Sequence, residues 1–128
     1  MIYLTLEDIL EIHKRVIEST GGSEGIRSIP LLDSAGARAQ APFGGIALYP
    51  SIPEKAAALL HSIICNHPFV DGNKRTGFTA MDVFFRLNGY YLVAGEDEKY
   101  DFVMGVASEA IDFSKIASWI EQRIKNSK

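Results

Sequence analysis

The sequence predicts an all-α fold: a single-domain helical bundle with a short irregular flap or hairpin. Two observations carry this expectation. Apolar residues recur at three- and four-residue spacing through most of the chain, broken by short joints with capping and stopping residues. The length, 128 residues, suits one core and is short for two, so residues 1–128 are read as one unit.

Each element has a local reason. Thr5 suits an N-cap, and Leu6, Ile9, Leu10, His13, Val16 and Ile17 then repeat with helical period until Gly21-Gly22 stops the helix. A short second helix is expected over 30–38, with Ser28 near its cap and Pro30 in its first turn. The stretch 41–50 holds two prolines, Pro42 and Pro50, and two glycines, which disfavours helix, and Gly44-Gly45 suits a tight turn. It reads as an exposed loop or small hairpin. Its bland role is a connector; its functional role is a flap (42–50, with Phe43, Gly44, Gly45 and Ile46) offering a strand edge to a peptide.

From Pro53 onward, Ala56, Ala57, Leu59, Leu60, Ile63 and Ile64 leave little polar face, which predicts a central buried helix. Pro68 ends it near His67, because proline disfavours the right-handed helical region for the residue before it. A fourth helix runs from about Asn73 through Phe78, Met81, Phe84, Phe85 and Leu87 to an Asn88-Gly89 stop. Two more amphipathic helices are expected at 97–108 and 113–125, the last counting Ile124 on its apolar face.

Composition excludes several classes. A formal charge of -3 provides no overall basic field for nucleic acid, and a lone cysteine, Cys65, allows no internal disulfide. The N-terminus lacks the pattern of a signal peptide, and no apolar run approaches the roughly 20 residues that cross a bilayer. A cytoplasmic protein with no membrane or direct nucleic-acid partner is the expectation.

The segment 67–76, His-Pro-Phe-Val-Asp-Gly-Asn-Lys-Arg-Thr, concentrates chemistry. The free N–H groups at the start of the fourth helix attract an anion, helped by the helix dipole. Gly72 permits close backbone approach, and Lys74 and Arg75 add positive charge where the dipole alone favours acidic residues. Asp71 is a hard oxygen ligand suited to Mg²⁺, and Asn73 can cap the helix or hydrogen-bond a phosphate. His67 is the group here that titrates near neutrality, hence the natural general base, while Phe69 anchors the loop in the core. Singly, each has a structural explanation; together they describe an anion site facing a base.

These residues resemble the Fic/Doc superfamily. The Doc (death-on-curing) branch carries H-x-F-x-D-[A/G]-N-K-R-T, and His67 to Thr76 fit it at every defined position. Gly21-Gly22, Gly25-Ile26-Arg27, Leu31-Leu32, Ser34-Ala35, Tyr49-Pro50 and Leu87-Asn88-Gly89 extend the likeness over nearly the whole chain. The resemblance implies that His67 activates a hydroxyl of a target protein and that Asp71 holds Mg²⁺. It further implies that Gly72, Asn73, Lys74 and Arg75 surround the phosphates of ATP, and that the flap orients the target. It also implies a cognate antitoxin that folds into a groove of the bundle.

Fic enzymes have glycine where this chain has Lys74 and a second arginine where it has Phe78. Both differences disfavour the ATP placement that transfers AMP, and the resemblance to the Doc branch implies the reversed placement, which transfers phosphate. The first expectation is therefore a Doc-like toxin that phosphorylates a protein such as elongation factor Tu and arrests translation. AMP transfer is second, and a catalytically silent antitoxin-binding module is the alternative from another class. A metal-dependent hydrolase built on His61, Cys65, His67 and Asp71 is a further rival. Thr20-Gly21-Gly22-Ser23-Glu24-Gly25 also matches the inhibitory [S/T]-x-x-x-E-[G/N] pattern of Fic enzymes. The glycines break the helix that this pattern needs, so the match is read as accidental.

Overall fold

A computed structural model describes residues 1–127; the side chain of Phe43 lies outside that description, so its expected part in the flap does too. Six helices occur among the described residues: α1 (Leu6–Thr20), α2 (Ile29–Arg38), α3 (Ile52–Asn66), α4 (Asn73–Leu87), α5 (Glu96–Ala107) and α6 (Phe113–Glu121). The helix starts follow side-chain chemistry. Thr5 caps α1 in a reciprocal box with Asp8, Ser28 caps α2 and Ser51 caps α3, each cap being worth about 1 kcal/mol. Asn88 closes α4 by binding Phe84 and both polar groups of the Ile2 backbone, so it ties the N-terminus to that helix end.

Helix α3 is the centre of the bundle. Ala56, Ala57, Leu60, Ile63 and Ile64 are all fully buried, because α2, α4, α5 and α6 cover it. Met81, Phe84 and Phe85 of α4 and Ile116 and Ile120 of α6 complete the core. No helix among the described residues is long and apolar enough to cross a membrane.

Among the described residues four short strands accompany the helices. The hairpin β1 (Pro42–Phe43) and β2 (Ile46–Ala47) turns at Gly44 and Gly45, with φ of 58° and 83°. Positive φ at both central residues is what a type I′ hairpin requires, as the glycine pair predicted. A second pair, β3 (Tyr90–Leu92) and β4 (Ile124–Asn126), was not expected. It corrects the last helix, which ends at Glu121. Ile124 joins a strand because Tyr90–Leu92, fixed beside the end of α4, offers an edge that periodicity along one segment cannot reveal.

Candidate active site

The joint between α3 and α4 is set by three backbone events. Asn66 ends α3, His67 adopts the left-handed conformation (φ 50°, ψ 60°), and Gly72 enters α4 with φ 77°. Pro68 explains the first departure, since the right-handed region is crowded for the residue before proline. His67 is exposed, and its imidazole makes no hydrogen bond among the described residues.

Phe69 anchors the joint as expected, at 1% exposure. Its ring stacks on His13, with centroids 3.7 Å apart and planes within 2°. His13 Nε2 lies 2.8 Å from the Asp71 carbonyl oxygen, and a carbonyl only accepts, so that nitrogen carries the proton. His13 is thus the core histidine expected on α1, and it also supports the chemical loop. That second role left no trace in the helical spacing.

Asn73 uses its side chain on the loop as well. Its Oδ1 accepts the Phe69 N–H at 3.0 Å, and its Nδ2 donates to the Phe69 carbonyl at 2.9 Å. What Asn73 retains for an anion is its backbone N–H. No side chain caps α4, so the N–H groups of its first turn are available as the anion reading needs. Lys74 and Arg75 are exposed there, and neither forms an ion pair among the described residues.

Asp71 is exposed and held by backbone donors. Its Oδ1 accepts the Gly72 N–H at 2.9 Å, and its Oδ2 accepts the Ser23 N–H at 3.2 Å. Ser23 belongs to the segment after α1, a contact the sequence reading did not foresee. Gly22 makes it possible: a Cβ there would stand 2.5 Å from Asp71 Oδ2. The segment adds Gly25 carbonyl to Val70 N–H, and Arg27 and Ser28 N–H to the Pro68 carbonyl. Residues 21–25 are not helical, in keeping with the reading of the inhibitory pattern as accidental.

His61 and Cys65 do not join this site. His61 Nδ1 accepts from Arg38 at 2.9 Å, while the Cys65 thiol donates to the Val106 carbonyl. Burial, then the Arg38 guanidinium, holds His61 below its ordinary value; burial pushes the Cys65 thiol up. Among the described residues no three His, Cys, Asp or Glu side chains are grouped to hold a metal, so His61, Cys65, His67 and Asp71 are not gathered into one metal shell. Arg38 also donates to the Tyr49 hydroxyl at 3.1 Å, and Lys55 Nζ to the Tyr49 carbonyl, so the flap is fastened at one foot. The turn itself stands clear: Ile46 is 73% exposed.

Beside the joint, α1, α4 and α5 enclose an open groove of about 720 Å³. Val16, Phe78 and Val103 contribute apolar surface, and Lys74 and Arg75 bring positive charge, while Lys99 is paired with Glu96 at 3.3 Å.

The α3–α4 joint of this helical bundle sets an exposed histidine and a carboxylate beside an uncapped helix start that carries Lys74 and Arg75. The sequence model of the Fic/DOC family matches residues 3–85, and the chain belongs to that family. It is 41% identical over 118 residues to the protein named Toxin Doc from Mycolicibacterium smegmatis, covering 91% of this chain and 88% of that one.

Proposed function

We propose that this protein is a Doc-like toxin that transfers phosphate from ATP to a hydroxyl of a target protein. The unpaired Lys74 and Arg75 at an uncapped helix start, beside the unengaged imidazole of His67, carry the reading. The donor set fits a polyphosphate, with backbone N–H groups at the start of α4 and two cations in its first turn. Asp71 fits Mg²⁺, which prefers one or two carboxylates plus phosphate oxygens and water to a protein cage. When bound, Mg²⁺ neutralises phosphate charge. His67 takes the proton of the target hydroxyl as its oxygen attacks the γ-phosphorus; the bond from that phosphorus to the β,γ-bridging oxygen breaks, and ADP leaves.

Lys74 and Phe78 favour phosphate over AMP as the transferred group. Lysine fills the place where close backbone approach would seat ATP in the AMP-transferring orientation, and Phe78 presents no charge. Ile46 and its neighbours in the flap supply an exposed strand edge for the target, for which elongation factor Tu is the leading candidate. Phosphorylation of that factor would arrest translation. The α1–α4–α5 groove, apolar with a cationic margin, suits an acidic amphipathic antitoxin helix.

Incubation with bacterial lysate and Mg-ATP labelled at either the γ or the α position tests the reading. Label from the γ position alone, lost in His67→Ala, is the expected result. Label from the α position establishes AMP transfer instead, and none from either favours the silent binding module.

A further inference from the structure

We infer that Arg27 is a positioning residue for His67; the inference rests on reading His67 as the general base. The last carbonyl groups of a helix lack intrahelical donors. After a left-handed residue, the following N–H groups usually turn back to satisfy them. Here the following residue is Pro68, which has no N–H to return. The end of α3 therefore lacks its local closing bond at the residue that bears the base.

Arg27 replaces that bond from 40 positions away in the chain. Its Nε donates to the His67 carbonyl oxygen at 2.5 Å, and its Nη2 to the Asn66 carbonyl oxygen. The Arg27 and Ser28 N–H groups both donate to the Pro68 carbonyl, so one short segment grips three successive carbonyls, those of residues 66, 67 and 68. A planar guanidinium spanning two peptide units fixes their relative orientation. That orientation is the one that places His67 at φ 50°, a conformation a histidine seldom takes unaided. No carboxylate pairs with Arg27 among the described residues, so its charge serves these carbonyls.

A lysine would keep the charge and lose the fork, which separates geometry from electrostatics. The chain has three histidines, His13, His61 and His67, so ring ¹H–¹³C signals resolve the base from the others. In Arg27→Met the His67 signals should shift and broaden while those of His13 and His61 hold and melting stays cooperative. The kcat for label transfer should fall about 10- to 100-fold, with KM for ATP within about twofold of wild type. Arg27→Lys should restore little of that loss, and it supplies the same readouts if the methionine variant does not fold. Unaltered His67 signals, unaltered kcat in a folded variant, or full rescue by lysine would overturn the inference. If wild-type protein transfers no label, the reading of His67 as base falls, while the ring signals still decide what Arg27 does.

Discussion

The hairpin at Pro42–Ala47 and the joint at His67–Gly72 are both short turns between helices, and the fold treats them oppositely. The joint is bound on two sides: His13 and Asn73 hold it from α1 and α4, and residues 22–28 hold it from the other flank. Its Phe69 is sunk in the core. The hairpin is tied at Tyr49, and beyond that its glycine turn has open space around it. Chemistry needs groups held to fractions of an ångström, whereas recognition of a peptide edge tolerates movement. On the proposed reading, the difference separates a catalytic part from a docking part within one small bundle.

Substitutions should divide along the same line. Phe69→Ala empties a filled core position and should cost about 3–5 kcal/mol in urea denaturation. A loss below about 1 kcal/mol would show that the core does not anchor the joint. Gly22→Ala should cost about 2 kcal/mol, since it adds a clash with Asp71 to a φ of +117°. Wild-type stability in that variant would break the link between the 22–28 segment and Asp71.

On the flap, Ile46→Ser should change stability by less than about 0.5 kcal/mol while reducing target labelling. Equal labelling by the two proteins would remove the flap from recognition. The smallest effect should come from His61 at the flap's foot. Its folded-state value lies below 6.5, so the unfolded chain binds more protons between the two values. Stability must therefore decline as pH falls from about 6.5 through that window, and His61→Gln should flatten the decline in melting temperature. An unchanged slope would clear His61 of the effect.

Local chemistry made much of this legible. Thr5 and Ser28 occupy cap positions, and Gly44-Gly45 and Pro68 act where short-range sterics place them. Long-range partners were not legible. Ile124 read as helical because its pairing edge lies more than 30 residues earlier, at Tyr90–Leu92. His13 read as core alone, and Arg27 as part of a family pattern with no role attached.

The sequence by itself determined the helix starts and most of their breaks, and it marked the segment 67–76 as a candidate anion site facing a candidate base. Caps, periodicity and proline act over a few residues, so one strand of text contains them. Tertiary structure alone decided that Ser23 holds Asp71, that His13 stacks on Phe69, and that Arg27 closes the helix end at His67. Those contacts join residues at least 40 positions apart in the chain. A hydrogen bond depends on distance in space, and only the packed bundle brings these donors and acceptors within reach.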